Sequence, residues 1–131
     1  MQVRYEWRGA FEDDEVDQLH AAAFRHPLAD DDWRSRVERH SLGWVTARDD
    51  AETLVGFANV AWDGGSHAFV LDVAVAPTTR RSGIGRSLLA LVEREARNAG
   101  CAWLHADFEP ALAPFYAACG LAPSAAGVIR L

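Results

Sequence analysis

The stretch LDVAVAPTTRRSGIGRSLL, Leu71 to Leu89, decides how the chain is read. An apolar strand runs into Pro77. A short connection rich in arginine and glycine, with no acidic residue, then opens a helix. A loop of this kind at a helix start turns several backbone N–H groups in one direction, and the helix dipole adds about half a positive charge there. Such a place suits a phosphate or pyrophosphate. Gly83 and Gly85 allow tight or left-handed backbone and a close approach of the ligand.

Spacing separates the ligand classes that use such loops. A dinucleotide fold needs G-x-G-x-x-G, and here Gly83-Ile84-Gly85 is followed by Arg86, Ser87 and Leu88, so the third glycine is missing. That disfavours a nicotinamide-dependent reductase. A nucleotide-triphosphate loop needs G-x-x-x-x-G-K-S/T, and the chain contains no lysine. What remains is Arg80-x-x-Gly83-x-Gly85 behind a strand ending Val73-Ala74-Val75. This resembles the coenzyme A loop, Q/R-x-x-G-x-G/A, of the GNAT superfamily of N-acetyltransferases. A second segment, PFYAACGL from Pro114 to Leu121, resembles the family's helix signature, an aromatic residue and tyrosine followed by Gly-Phe/Leu. Joint occurrence of the two motifs is far more specific than either alone. Over Met1 to Gly65 the resemblance rests on element order only.

Composition agrees with one domain over residues 1–131. The chain has 131 residues, half of them hydrophobic, enough to bury a real core. No low-complexity tract, repeat or membrane-length apolar run interrupts it, and the first residues lack the apolar core of a signal peptide. Cys101 and Cys119 have neither metal nor redox spacing. They read as small buried hydrophobes in a reducing cytoplasm, and no metal is expected. Net charge is −6, with every positive charge on arginine. Residues 1–64 hold 14 acids against 7 arginines, whereas residues 65–131 are almost balanced. The absence of a broad basic stripe argues against a nucleic-acid partner, and nothing indicates a membrane. A homodimer stays open.

Periodicity and turn residues give a strand at Val3–Arg8 and an amphipathic helix at Glu12–Phe24. The helix has Val16, Leu19, His20, Ala23 and Phe24 on one face, where His20 reads as a satisfied core histidine. A short helix follows at Asp31–His40, then strands at Leu42–Arg48, Leu54–Trp62 and His67–Val75. A long helix runs from Gly85 to Asn98 with a stripe of Leu88, Leu89, Val92 and Ala96. A strand at Ala102–Phe108, a helix at Pro114–Cys119 and a final strand at Val128–Leu131 complete the chain. The order β-α-α-β-β-β-α-β-α-β is that of a GNAT domain. The implied fold is a mixed α/β (α+β) twisted sheet of six to seven strands flanked by about four helices.

The resemblance implies the chemistry residue by residue. The implied activity is acetyl transfer from acetyl-CoA to a primary amine of a small molecule or peptide by direct attack. Around Val73, Ala74 and Val75 the strand amides of Val73 and Val75 would bond the acetyl carbonyl and pantetheine. The loop Arg80, Arg81, Ser82, Gly83, Ile84, Gly85, Arg86 and Ser87 would cradle the pyrophosphate, with amides drawn from Arg81 to Ser87. Tyr116 matches the family's general acid for the departing thiolate. Seven residues before it the family often has an Asn that touches pantetheine, and here stands Glu109.

The general base is not written in the motifs. A primary ammonium with a pKa near 10.4 leaves only about one molecule in a few thousand as free amine at neutral pH, so proton removal matters. The family often places Glu or His at the positions held here by Phe69 and Leu71. Asp72 and His67 are the weak candidates for a base or water relay. On strict alternation Asp72 faces away from Leu71 unless a bulge re-aims it, and it otherwise reads as a buried carboxylate bonded to loop amides. The expectation is therefore that no single carboxylate on this strand is an essential base. Trp33, Trp44 and Trp62 either line the acceptor site or fill core. The acidic first half fits a cationic amine and equally fits solvated helix caps. A non-catalytic acetyl-CoA sensor or scaffold of the same fold is the alternative reading.

Overall fold

The computed structural model describes residues 1–131. Its elements are β1 (Arg4–Trp7), α1 (Asp13–Phe24), α2 (Trp33–His40), β2 (Ser41–Arg48), β3 (Leu54–Trp62), β4 (His67–Val75), α3 (Ile84–Asn98), β5 (Trp103–Ala106) and α4 (Ala113–Ala118), with 3-10 turns at Pro77–Thr79 and Pro110–Leu112. One mixed sheet runs β1-β2-β3-β4-β5. Its first four strands are antiparallel, and β5 joins β4 in parallel.

Helices cover both faces, which explains why β2 and β3 are buried almost continuously rather than in alternation. On one face α3 lays Ile84, Leu88, Leu89, Val92 and Ala96 against Val45, Ala58, Val60 and Val70. This is the stripe its periodicity predicted, extended by Ile84. On the other face Val16 and Leu19 of α1 and Trp33 and Val37 of α2 pack on Trp44, Phe57 and Ala74. Trp33 and Trp44 are therefore core, while Trp62 lies at the surface. No helix is long and apolar enough to cross a membrane.

The sheet has five strands, not the six to seven expected. The missing element is Val128–Leu131, whose Val128, Ile129 and Leu131 are exposed and unpaired. Apolar alternation over so few residues supplies no partner edge, and a strand needs one. β5 is likewise shorter than its apolar run, because it pairs with β4 only from His67↔Trp103 to Val70↔Ala106.

The entry to α1 is held by charge. Glu12 and Glu15 form a reciprocal capping box. Arg48 of β2 grips the Glu15 carboxylate with both terminal nitrogens, at 2.6 and 2.9 Å, and also donates to the carbonyls of Glu52 and Ala10. The Arg48 guanidinium is the main cause holding the Glu15 carboxyl below its ordinary value, against an opposing effect of burial. A carboxyl depressed in the folded state stabilises the fold above its unfolded value near 4.5, and the benefit fades as pH falls through the folded value. Glu15→Gln should accordingly lose on the order of 1 kcal/mol at pH 7 and much less at acid pH, checked by chemical denaturation at both.

Candidate active site

The site is built where β5 leaves β4. Their pairing stops at Val70↔Ala106, although β4 continues to Val75. Past this fork one side of β4 has no strand neighbour. Val75 lies opposite Gly56, and the next residue, Ala76, donates to Val55 O at 2.8 Å. The alternation of an antiparallel ladder therefore turns the Val75 amide away from β3, into the gap. Ala74, 1% exposed, sends its side chain into the core beneath α1 and α2.

Within the open part of β4 the register slips. Phe57 faces Ala74 and Asn59 faces Leu71, so Asp72 and Val73 together oppose Ala58. This is a β-bulge, with Asp72 at φ 56 in the left-handed region. The bulge overturns the alternation argument for Asp72. Its carboxylate meets neither loop amides nor solvent alone, but His20 Nε2 at 3.0 Å. His20 Nδ1 is 2.6 Å from His26 Nε2, and His26 Nδ1 is 2.7 Å from the Pro27 carbonyl. His20 is thus the satisfied, mostly buried histidine expected, with Asp72 and His26 as its partners. Its place on the apolar face of α1 was the only sign of this in the sequence, and nothing there marked His26.

His67 is not part of this assembly. It stands at the other end of β4, five residues and about 17 Å of strand from Asp72, where its Nδ1 is 2.9 Å from His105 Nε2.

The loop after β4 has the geometry of an anion cradle. Arg81 and Gly83 adopt positive φ, 67° and 84°. The amides of Arg81, Ser82, Gly83, Ile84, Gly85 and Arg86 donate to no acceptor in the chain, whereas Ser87 N already donates to Gly83 O. Ser87 therefore drops out of the expected set of amides, because it is the first to close a helical turn. The free amides sit at the positive end of a 15-residue helix. The Ser82 hydroxyl donates to Thr79 O. Arg80 spends its guanidinium on the carbonyl of Ala23, tying the loop to the end of α1. Arg81 and Arg86 are exposed and in no ion pair. A shallow groove bounded by Arg86, Ser87, Ala90, Glu93, Ala118 and Cys119 continues from the loop between α3 and α4.

Tyr116 stands on the opposite side of the sheet from His20. Its ring stacks on Phe108 at 4.3 Å, meets Phe115 edge-on and belongs to the α3-side core, with Val73 and Val75 packed against that core. Burial, then the neighbouring Cys119, pushes the phenol above its ordinary value, so it holds its proton at neutral pH. Its hydroxyl has no hydrogen-bond partner in the chain and is not among the atoms sealed from solvent. Glu109, by contrast, is exposed before the 3-10 turn that leads into α4.

The site thus combines a mixed sheet that forks after Val70, a bulge beside the fork and a free-amide loop at a helix start. The acetyltransferase (GNAT) family model matches residues 4–121, and the chain belongs to that family. A mycothiol acetyltransferase of Cellulomonas flavigena is 37% identical over 121 residues, covering 82% of this chain and 34% of the relative. The chain spans about a third of the length of the curated mycothiol acetyltransferases it matches. Among solved structures, a GNAT-family acetyltransferase of Streptococcus pneumoniae superposes with a TM-score of 0.81 at 22% identity, covering 99% of this chain and 98% of the other. An aminoglycoside N-acetyltransferase bound to a coenzyme A bisubstrate analogue gives a TM-score of 0.81 at 19% identity, with 100% and 98% covered.

The loop is held to α4 at one tight point. A Cβ on Gly85 would lie 3.0 and 3.1 Å from Cζ and Cε1 of Phe115. Gly85→Val should therefore push α4 off α3 at a cost of about 1–3 kcal/mol, read as a lower midpoint in denaturant, with Gly85→Ala between it and the parent.

Proposed function

We propose that this chain transfers an acetyl group from acetyl-CoA to a primary amine of a small molecule or peptide by direct attack. The observation that carries the reading is the row of six free amides from Arg81 to Arg86 at the start of α3, beside a strand whose next neighbour has departed. Those amides would hold the pyrophosphate, with Arg81 and Arg86 adding charge. The Val73 and Val75 amides would take the carbonyl oxygen and the pantetheine arm in the gap. Acetyl-CoA supplies an activated thioester. As the amine nitrogen forms the new C–N bond and the C–S bond breaks, Tyr116 gives its hydroxyl proton to the sulfur. Relatives named for mycothiol and a neighbour named for aminoglycosides support a small-molecule acceptor over a peptide. The apolar Phe69 and Leu71 favour the alternative, binding of acetyl-CoA without efficient transfer.

The loop is tested through its backbone. A Cβ on Gly83 meets nothing within 4 Å, yet φ there is 84°. Gly83→Ala therefore costs about 1–2 kcal/mol by conformation rather than by clash. It should weaken coenzyme A binding about tenfold or more by turning the amides, measured by calorimetry on the folded variant. Unchanged affinity would remove the pyrophosphate from this loop.

The acid is tested at Tyr116. Tyr116→Phe should lower kcat about a hundredfold while leaving acetyl-CoA affinity near the parent value, followed by release of coenzyme A thiol across a panel of amines. A parent-like kcat would return Tyr116 to a packing role. Acetyl-CoA binding with no thiol release for any amine would favour the sensor reading.

A further inference from the structure

We propose that Asp72, His20 and His26 form a proton-accepting line for the acceptor amine, taking the proton at Asp72 and releasing it to solvent at His26. The proposal rests on the acetyl-transfer reading and deepens it by naming the missing base.

The argument is a proton count. The line runs from Asp72 Oδ1 to His20 Nε2 at 3.0 Å, from His20 Nδ1 to His26 Nε2 at 2.6 Å, and from His26 Nδ1 to Pro27 O at 2.7 Å. The Pro27 carbonyl only accepts, and so does the Asp72 carboxylate when ionised. Three contacts in series need three protons. The filled line has no net charge, whether the third proton sits on Asp72 or is shared by the two imidazoles. Loss of that proton leaves a line of net charge −1 with one hydrogen bond open.

This emptied line is the competent base. A substrate R–NH3⁺ gives one proton to Asp72. The products are R–NH2, which attacks, and the filled, neutral line with all three hydrogen bonds restored. His26 then returns the proton to water from Nδ1, which leaves the Pro27 carbonyl as it does so. The three side chains hydrogen-bond in a row rather than converging on a point, and no group of three or more His, Cys, Asp or Glu residues is arranged to hold a metal ion.

Place and surroundings suit the role. The bulge puts Asp72 next to Val73, past the fork, with its carboxylate 28% exposed and only Oδ1 engaged. Tyr116 belongs to the core on the opposite face of the sheet. Acid and base thus lie on opposite faces of the sheet. His20 is only 18% exposed and packs between Phe24 at 4.5 Å and Trp33 at 5.1 Å, so water does not short-circuit the line at its middle. Other charges nearby are already engaged. Asp17 on α1 accepts from the amides of Ala29 and Asp30, Arg80 from the loop holds Ala23 O, and Arg36 of α2 stacks on Trp33.

Two measurements test the line on the intact chain. In the first, nitrogen-15 imidazole spectra of the parent count ring protons across pH, with no substrate present. The proposal expects His20 and His26 to lose one proton as a coupled unit, and Asp72→Asn to uncouple them. Two rings that titrate independently, unaffected by Asp72→Asn, would overturn it. In the second, acetyl-CoA affinity and the kcat/KM profile against pH are compared across variants. Asn tolerates the left-handed backbone at position 72, so Asp72→Asn should fold, bind acetyl-CoA like the parent and lose kcat/KM about a hundredfold or more. His20→Asn should lose about tenfold or more, and His26→Gln should displace the same ionisation of the profile with a smaller loss. A folded Asp72→Asn with the parent kcat/KM and profile would overturn the proposal while leaving acetyl transfer intact. A parent that fails to bind acetyl-CoA at all would overturn the acetyl-transfer reading and the line with it.

Discussion

One extra residue in β4 governs the site. Because Asp72 and Val73 share Ala58 as their partner on β3, the strand bends and twists at the point where β5 stops accompanying it. An unbroken ladder would have paired the amides beyond Val70, and a buried amide left unpaired costs of order 1–3 kcal/mol. The fork instead leaves the Val75 amide facing the gap. The same bulge places Asp72 at a positive φ that Asp and Asn tolerate better than branched residues do.

The two helix layers then divide the labour around this fork. α3 and α4 occupy one face, which carries the free amides at the start of α3 and the Tyr116 ring in its core. α1 and α2 occupy the other and bring the two histidines to the back of Asp72. The loop before α3 is tied to both layers. Arg80 spans from the loop to the last turn of α1, and Phe115 rests where Gly85 has no side chain. A change in the position of the loop is thereby felt by both α1 and α4.

Element order as far as α4 and the free-amide loop were legible because each is local. The stripe Leu88, Leu89, Val92 and Ala96 has helical spacing, and the hairpin strands have turn residues between them, so their bounds shifted by only a residue or two. The Arg80–Gly85 motif was legible because free amides follow from a glycine-permitted turn into a helix, with no help from elsewhere. Tyr116 came from a motif of its own, and burial among Phe108 and Phe115 supplied the reason that it keeps its proton.

What failed were statements that need a partner distant in the chain. Val128–Leu131 has a strand's residues but no edge to pair with. Asp72 lies 52 residues from His20, and neither alternation along β4 nor periodicity along α1 joins them. A bulge is a mismatch between two strands, so one strand's sequence cannot display it. Trp33 and Trp44 went to core and Trp62 to the surface according to which layer covered them, a choice that composition leaves open. The sequence by itself determined the helix start with its free amides, the buried stripe of α3 and the family, since these depend on neighbours within a few residues, whereas on α1 the expected Phe24 is exposed and Asp17 and Ala21 are buried. Only the tertiary structure decided the fork, the bulge and the line from Asp72 to His26, since these depend on how separately formed elements are brought into register.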